Sequence, residues 1–179
     1  RTGFPKQFLV LSGDDSKKSL FQEALERIQT LADRNIELAT SIVVTNEEHR
    51  FLALDQLREL HAMHATLLLE PSGRNTAPAL TLAALFALRE AKGQDPILVV
   101  TPADQTVKDA DAFTHALHRA VELAQHNAIA IVGITPTSPQ TGYGYIKVGE
   151  DEGLNSSYSV ERFVEKPDEA TAIEYLEEG

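Results

Sequence analysis

The stretch SIVVTNEEHRFLALDQLRELHAMHATLLLE, residues 41–70, decides the fold class. Its β-branched run from Ser41 to Thr45 predicts a buried strand, and Asn46 is a candidate N-cap for a helix that reaches about Leu60. A second strand is predicted at Ala65–Leu69. Strand, helix and strand in this order are typical of a βαβ unit, in which the two strands pair in parallel.

The same alternation continues on both sides of this unit. Upstream, Ser19 and Gln22 match a capping box, which predicts a helix from Leu20 to about Ala32. Downstream the pattern predicts, in chain order, a helix from Asn75 to about Lys92, a strand at Ile97–Thr101, a helix from Asp109 or Asp111 to about Gln125, and a strand at Ile129–Gly133. The chain is therefore expected to be an α/β protein with a doubly wound, mainly parallel sheet.

The rhythm of the sequence changes from Thr135, where several prolines and glycines interrupt regular structure. Two strands follow, at Tyr145–Val148 and Tyr158–Glu165, and they predict a small antiparallel excursion from the parallel sheet. The pair Pro167–Asp168 then opens a final helix to about Glu177, because Pro is tolerated just before a helix and Asp is favoured at its N-cap.

Composition bounds the class of protein. The 179 residues, 42% of them hydrophobic, have the length of one domain and can bury a normal core. The net charge is -11 without a visible basic stripe, so nucleic acid is not an expected partner. The absence of Cys excludes disulfides and thiolate metal sites. The longest apolar stretch, Ala77–Leu88, is too short to cross a bilayer, so we expect no membrane partner and a cytoplasmic location.

Four short polar strings stand where predicted strands end. In chain order they are Pro5–Phe8, Glu70–Ala79, Thr101–Asp104 and Phe163–Pro167. Ligands of open α/β sheets bind in the crevice beyond the carboxyl ends of the strands, so strings that recur there outline one composite site. The sequence therefore predicts a binding pocket at this edge of the sheet.

Asp104 follows an apolar strand and stands in a turn made by Pro102, so its carboxylate is expected at the carboxyl edge of the sheet. A hard oxygen ligand at such a place suits Mg2+, which keeps its waters and bridges to phosphate oxygens. The alternative is that Asp104 only accepts hydrogen bonds from amides of the turn, since Asp is a common turn residue. Spacing alone leaves both interpretations open.

The string Glu70–Ala79 sets Gly73, Arg74 and Asn75 between a strand and the first turn of a helix. Exposed amides at a helix N-terminus bind phosphates or polar rings, and an ionised Glu70 can accept the adjacent N–H donors of a guanine edge. Ordinary capping by Asn75, with Arg74 in solvent, is the alternative.

Glu165 and Lys166 end a strand whose alternation puts them on opposite sides of the backbone. One can face a sugar and the other a phosphate only if the strand bends, which Pro167 favours. Taken alone, a Glu–Lys pair at a strand end is more typical of a solvated surface. Lys6 after Pro5 is equally unspecific in isolation.

Taken together, these strings closely resemble the mannose-1-phosphate guanylyltransferase group of sugar-nucleotide pyrophosphorylases, the type often fused to a mannose-6-phosphate isomerase domain. Arg1–Phe8 resembles the tail of the family's N-terminal signature, a glycine-rich loop ending in Pro-Lys. The segments that resemble its guanylyl-side string, its metal-aspartate segment, its sugar-side turn and its sugar-phosphate string are Glu70–Ala79, Thr101–Asp104, Thr141–Ile146 and Phe163–Pro167. The resemblance covers nearly the whole chain and implies a Rossmann-like fold of the nucleotide-diphospho-sugar transferase type.

This resemblance implies that a mannose 1-phosphate oxygen attacks the α-phosphate of GTP, giving GDP-mannose and pyrophosphate for polysaccharide biosynthesis, with Mg2+ as cofactor. It implies catalytic roles for Lys6, Asp104 and Lys166, with Asp104 as the metal ligand. The nucleotide-binding residues that it implies are Glu70, Arg74, Asn75 and Thr76, and the sugar-binding residues are Gly144, Tyr145 and Glu165. The implied partners are GTP and mannose 1-phosphate, and a homo-oligomer stays open.

The family's glycine loop would lie upstream of Arg1, and its second metal aspartate would follow Gly179. Residues 1–179 are therefore expected to be part of one nucleotidyltransferase domain, and to be inactive alone, because phosphoryl-type transfer needs the complete set of positioned groups. Three alternatives stay open. The first is a sugar-1-phosphate nucleotidyltransferase with a different base or sugar, and the second is a non-catalytic module that binds nucleotide sugars. The third is a plain structural α/β domain, in which Lys6, Asp104 and Lys166 would be scattered and without a ligand.

Overall fold

The computed structural model describes residues 4–11, 17–60, 64–151, 153 and 157–178, and the chain divides into two compact units, Arg1–His118 and Arg119–Gly179. The helices are α1 (Leu20–Gln29), α2 (Arg50–Glu59), α3 (Thr76–Glu90), α4 (Ala110–Ala124) and α5 (Glu169–Glu178). The strands are β1 (Ser41–Asn46), β2 (Ala65–Glu70), β3 (Gly144–Asp151) and β4 (Tyr158–Glu165), and 3-10 turns lie at Lys6–Phe8 and Glu47–His49. Among these residues, no helix combines the length and the apolar character that a membrane span requires.

Strands β1 and β2 of the first unit pair in parallel, with Ser41 opposite Ala65 and Asn46 opposite Glu70. Helix α2 connects them and contacts β2. The βαβ unit predicted from residues 41–70 is therefore confirmed. Because parallel strands end at the same edge, Asn46 and Glu70 lie side by side at the carboxyl edge of this pair.

Helix α1 begins at the predicted capping box. The Ser19 hydroxyl accepts a hydrogen bond from the Gln22 amide at 3.2 Å, and the Ser19 amide donates to Gln22 Oε1 at 2.9 Å. The helix ends before the predicted Ala32, because the Thr30 amide and hydroxyl both donate to the Arg27 carbonyl, at 3.3 and 2.7 Å. These bonds tighten the last turn and satisfy a carbonyl that would otherwise lack a helical partner.

The core of the first unit lies between the first 3-10 turn, α1 and α2. Its buried members are Phe8, Phe21, Leu25, Ala53 and Leu57. The strand residues Val43 and Leu67 pack against this cluster from β1 and β2. The amino-terminal turn is thus part of the core, which fixes the position of its other residues.

Two Asn residues predicted as helix caps behave differently from the prediction. Asn46 Oδ1 accepts from the Glu48 amide at 3.1 Å and so caps the 3-10 turn, while α2 itself begins only at Arg50. Asn75 precedes α3 with φ 65° and ψ -164°, and within the described ranges its side chain makes no capping hydrogen bond. Capping by the Asn75 side chain is therefore wrong, because capping needs an extended backbone at that residue. At α4, Asp109 is the cap, since its Oδ1 accepts from the Ala112 amide at 2.9 Å.

Two predicted strands are wrong. In the part of the chain that the structure describes, Ile97–Thr101 and Ile129–Gly133 belong to no ladder. Their apolar, β-branched composition suits a strand, but a strand forms only where a neighbour supplies the ladder hydrogen bonds. Their side chains remain accessible, with Ile97 39% and Ile129 97% exposed.

In the second unit, β3 and β4 pair antiparallel, with Gly144 opposite Glu165. The register shifts twice, between Lys147 and Val148 and between Val148 and Asp151. The predicted antiparallel excursion is confirmed, and together with the parallel pair it confirms the mixed α/β class. Helix α5 follows with Asp168 as its cap, because Asp168 Oδ1 accepts from the Thr171 amide at 2.9 Å. Hydrogen bonds from the Thr171 amide and side chain hold the pKa of Asp168 below its usual 3.8.

Candidate functional site

Lys6 and Asp104, which are far apart in sequence, lie together in the first unit. Lys6 Nζ is 3.7 Å from Asp104 Oδ2, and the side chains are 63% and 48% exposed. An ion pair at this exposure contributes roughly 0–1 kcal/mol of stability. Both charged groups therefore remain accessible to a ligand, and little of the fold depends on them.

Phe8 anchors the turn that carries Lys6. Its ring is 5% exposed and meets the Phe21 ring edge to face, with centroids 5.5 Å apart. Its carbonyl accepts a hydrogen bond from Gln56 Nε2 at 3.1 Å. Because Lys6 and Phe8 share one 3-10 turn, α1 and α2 determine where the Lys6 backbone lies.

Gln56 is the centre of a polar network between α1 and α2. The Ser19 hydroxyl donates to Gln56 Oε1 at 2.6 Å. Gln22 Nε2 donates to the Gln56 carbonyl at 3.0 Å and to Glu59 Oε2 at 2.8 Å. Buried polar groups are costly unless they have partners, so a satisfied network favours one packing arrangement. The packing of the two helices and the position of the Lys6 turn are therefore coupled.

A cavity of about 200 Å³ opens beside Asp104. Its wall is formed by the Lys6 turn, α1, β1, α2 and the Asp104 segment. The lining residues are Gln7, Phe8, Phe21, Val43, Val44, Thr45, Ala53, Ala103 and Asp104. Pockets for whole small molecules usually measure roughly 300–1,000 Å³. This cavity therefore accommodates part of a ligand, at the carboxyl end of β1.

The predicted nucleotide string follows β2. Glu70 is half-buried opposite Asn46, whereas Arg74, Asn75 and Thr76 are exposed. A Cβ built on Gly73 would meet no heavy atom of the described chain within 4 Å. The backbone at the start of α3 is thus open to an approaching ligand. The left-handed backbone of Asn75 is the kind of local strain that clusters at functional sites.

The Asp104 carboxylate is suited to bind a divalent metal ion that takes few of its ligands from the protein. Across the described ranges, no three His, Cys, Asp or Glu side chains form a group that could hold a metal ion by themselves. Mg2+ does not need such a group, because it is usually bound by one or two carboxylates together with waters and substrate phosphates. The half-exposed Asp104 carboxylate beside an accessible cavity suits that donor set.

In the second unit, Gly144 and Glu165 face each other across β3 and β4. A Cβ built on Gly144 would clash with Phe163 Cζ and would lie 3.0 Å from Glu165 Oε2. Phe163 and Glu165 are two residues apart in β4, so both side chains lie on the same face as the Gly144 position. Only glycine leaves room there for the ring and the carboxylate together.

Lys166 leaves β4 with a left-handed backbone, φ 46°. Its amide donates to the Tyr143 carbonyl at 3.2 Å, and the following Pro167 is buried. The chain therefore bends at the point where the predicted site needs a bend. Lys166 Nζ lies 3.4 Å from Glu165 Oε1, so two side chains that a straight strand would separate converge.

Tyr145 lies on the opposite face of the β3–β4 pair from Gly144, because successive strand residues alternate. Its hydroxyl accepts a hydrogen bond from the Gln140 amide at 2.9 Å, and its ring is 5.5 Å from the Tyr175 ring of α5. The Arg162 guanidinium lies over that same Tyr175 ring at 5.7 Å. The side chain of Tyr145 is thus engaged in holding the preceding loop and α5.

The structure brings the predicted residues together in two groups, one in each unit. Lys6 lies with Asp104, and Gly144 lies with Glu165 and Lys166. The first three residues of the predicted signature, 1–3, lie outside the described residues.

Sequence reasoning included Phe163 in the string Phe163–Pro167 but assigned it no role of its own, and it overlooked Gln56. Strand alternation could have found Phe163, which is two residues before Glu165 and so shares its face. No local signal pointed to Gln56, because its hydrogen-bond partners Ser19 and Phe8 are distant in sequence.

The family model described as nucleotidyl transferase matches residues 1–179. Mannose-1-phosphate guanylyltransferase RfbM of Salmonella typhimurium is 44% identical over 98% of this chain and 35% of its own length. Xanthan biosynthesis protein XanB of Xanthomonas campestris is 45% identical, and mannose-1-phosphate guanylyltransferase of Escherichia coli is 40% identical; each match covers 100% of this chain and 36% of the relative. The chain thus spans little more than a third of the length of these relatives. No solved structure matches it.

Proposed function

The chain belongs to the nucleotidyl transferase family, and from this premise we propose that the complete protein transfers GMP from GTP to α-D-mannose 1-phosphate. The products are GDP-mannose and pyrophosphate. One observation carries the choice of substrates, namely the similarity over essentially the whole chain to relatives that are named for this transfer. The relative named for xanthan biosynthesis supports a role for the product in polysaccharide synthesis.

The reaction needs no covalent enzyme intermediate. A phosphate oxygen of mannose 1-phosphate attacks the α-phosphorus of GTP and forms a new P–O bond. The bond between the α-phosphorus and the oxygen that bridges to the β-phosphorus breaks, and its electron pair leaves with pyrophosphate. Catalysis of such a step is mainly positioning and neutralisation of charge.

Lys6 is the proposed cation for the α-phosphate. Its ammonium is accessible, and its backbone is positioned by the buried Phe8 of the same turn. A lysine acts on phosphate as a compact point charge. The Asp104 carboxylate at 3.7 Å keeps this ammonium near the cavity until a phosphate takes its place as partner.

Asp104 is the proposed ligand of Mg2+. A bound Mg2+ supplies charge stabilisation for the oxygens of the triphosphate. The carboxylate contributes a hard oxygen donor at the cavity, and phosphate oxygens and waters complete the shell of such an ion.

Glu70, Arg74, Asn75 and Thr76 are the proposed nucleotide-binding residues. The half-buried Glu70 carboxylate is an acceptor for the N–H donors of guanine. The open backbone at the start of α3 offers amides to the ribose and phosphate groups. Exposed Arg74 can add a fork of donors to an oxygen of the nucleotide.

Glu165 and Lys166 are the proposed sugar-phosphate residues. Glu165 accepts hydrogen bonds from mannose hydroxyls, with the Gly144 backbone beside it. Lys166 offsets the charge of the sugar phosphate, and the bend at Lys166 supports this division of roles because it brings both groups to one place. Tyr145 is also included in the proposed set. Its side chain lies on the opposite strand face, so its proposed role is to hold the loop before β3, where its hydroxyl accepts from the Gln140 amide.

The proposal is tested on the complete protein by measuring pyrophosphate release with Mg2+ and mannose 1-phosphate, comparing GTP with ATP, UTP and CTP. We expect release that depends on GTP and on mannose 1-phosphate together. Preference for another nucleoside triphosphate would instead identify a nucleotidyltransferase with a different base. Binding of GDP-mannose by a folded protein that releases no pyrophosphate with any nucleotide would replace the proposal with a non-catalytic binding module.

A further inference from the structure

Phe163 presents an aromatic ring beside the proposed sugar-binding carboxylate. The residue is 54% exposed although it belongs to β4 and is paired with Ile146 of β3. It shares one strand face with Glu165, and it occupies the space that a side chain at position 144 would fill. A large apolar ring is therefore open to solvent directly next to a hydrogen-bond acceptor.

The other face of the same strand pair has a different environment. Tyr145 and Arg162 lie on that face and meet the Tyr175 ring of α5. Helix α5 thus packs on the Tyr145 face, and the Phe163 face retains an exposed aromatic ring next to a carboxylate. The exposed ring and the carboxylate therefore lie on the face opposite the one that α5 covers.

A pyranose has two kinds of surface, an apolar face of C–H groups and an edge of hydroxyl groups. An aromatic ring offers a large, rigid apolar surface to the first, and a carboxylate accepts hydrogen bonds from the second. Ligand pockets commonly combine an aromatic wall with a few placed polar groups in this manner. Phe163 supplies the aromatic surface and Glu165 the carboxylate, two residues apart in the same strand.

We propose that Phe163 is a specificity-determining residue of the sugar subsite, its ring packing against the C–H face of the mannosyl group while Glu165 accepts from the hydroxyls. This inference rests on the proposed function. Glycine at position 144 suits this arrangement, because a Cβ there would displace the Phe163 ring and would make a tight contact with the Glu165 carboxylate. Phe163 does not touch the reacting phosphate, so its effect falls on sugar affinity.

The test compares Phe163→Leu with Tyr158→Leu in the complete protein. Tyr158 is a matched control, because it is an aromatic residue of the same strand with a similar exposure of 49%. Phe163→Leu is expected to raise the dissociation constant of mannose 1-phosphate about 3- to 10-fold, the range of an aromatic contact, and to leave that of GTP unchanged. Phe163→Tyr retains the ring and is expected to bind the sugar phosphate as the wild type does.

Calorimetric titration with mannose 1-phosphate and, separately, pyrophosphate release distinguish the two proposals. Weaker sugar binding in Phe163→Leu alone supports the role of Phe163 even if the wild type releases no pyrophosphate, which would overturn only the proposed function. Normal sugar binding by Phe163→Leu, or equal losses in Tyr158→Leu, overturns the inference. Should Phe163→Leu misfold by circular dichroism, saturation-transfer NMR on the wild type decides, and absent transfer from aromatic protons to the sugar C–H protons overturns it.

Discussion

Lys6 Nζ lies 3.7 Å from Asp104 Oδ2, although almost a hundred residues separate the two along the chain. The contact is weak as a source of stability because both side chains are about half-exposed. The Lys6 backbone is by contrast held by the core, because Phe8 of the same turn is buried, and a cavity opens beside Asp104. The packed core thus positions two charged groups that remain accessible.

Replacing Asp104 with Asn should therefore separate activity from folding. We expect pyrophosphate release by the complete protein to fall about 100-fold or more, since a neutral amide is a poor metal ligand. The thermal unfolding midpoint should change little, because the ion pair contributes roughly 0–1 kcal/mol. Asp95→Asn, at an exposed position before the Asp104 segment, is the matched control and should leave the rate unchanged. An undiminished rate in Asp104→Asn would dismiss the metal role.

Much of the fold was accessible to sequence reasoning because its signals are local. The capping box of Ser19 and Gln22 and the strand at Tyr158–Glu165 depend on neighbouring residues and appear as predicted. Ile97–Thr101 and Ile129–Gly133 have strand composition, yet the described residues give them no ladder, because pairing depends on distant chain segments. A local sequence pattern does not show which distant segment will pair with a predicted strand.

The candidate site shows the same division. The strings that contain Lys6, Asp104 and Lys166 were visible in sequence, and Lys6 and Asp104 do lie together. The reason given for a shared site was that strand ends meet. That reason does not apply to this pair, because in the described residues Lys6 lies in a 3-10 turn and no strand ladder precedes Asp104. The left-handed backbone of Asn75 was not predictable, because Asn is also common as an ordinary helix cap. Tertiary structure determined which of those conformations it adopts.

Lys166→Met should weaken use of the sugar phosphate selectively. We expect the KM for mannose 1-phosphate to rise about 10-fold, because one charge-assisted contact to phosphate is lost, while the KM for GTP stays near the wild-type value. The control is Lys147→Met, which removes a lysine of the same unit that also forms an exposed ion pair, with Glu161 at 3.5 Å. A normal response to mannose 1-phosphate in steady-state kinetics would show that the role assigned to Lys166 is wrong.

The strained backbone of Asn75 predicts an unusual order of stability at that position. With φ 65° and ψ -164°, Asn75 occupies a region that suits glycine, so Asn75→Gly should be about 1–2 kcal/mol more stable than Asn75→Ala. At exposed Asn35, whose φ is not positive, the order should reverse. The thermal unfolding midpoints of the four variants give the order of stability at each position. Equal midpoints for Asn75→Ala and Asn75→Gly would show that the backbone at position 75 is not strained. If Asn75 also contacts nucleotide, Asn75→Gly should raise the KM for GTP despite its stability.

The network around Gln56 should be costly to interrupt. Gln56→Leu removes the acceptor of the Ser19 hydroxyl and the donor to the Phe8 carbonyl, which should cost about 1–3 kcal/mol of stability. Gln29→Leu removes only an exposed bond of 3.4 Å to Ser41 and should cost much less. The thermal midpoint and the rate of pyrophosphate release should both fall in Gln56→Leu, because Phe8 shares its turn with Lys6. Equal effects of the two substitutions would argue against coupling between the network and the site.

The hydrogen bonds of Asp168 at the start of α5 should make the stability of the protein depend on pH. The Thr171 amide and hydroxyl lower the pKa of Asp168 in the folded state, and a lowered folded pKa means that stability is present above the unfolded value of 3.8. That contribution is lost as the pH falls through the folded pKa. Asp168→Asn should therefore have a lower thermal midpoint than the wild type near pH 7.

The difference between the wild type and Asp168→Asn should shrink as the pH falls below 3.8 and vanish once Asp168 is protonated in the folded protein. Asp33 supplies a parallel case, because the Asn35 and Ile36 amides lower its pKa in the same way. Asp33→Asn should show a difference of the same sign over the same pH range, measured by urea unfolding midpoints from pH 7 to pH 2. A difference that stays constant or grows toward low pH would mean that the carboxylate charge does not stabilise the helix start, and that Asp168 acts there only through the shape of its cap.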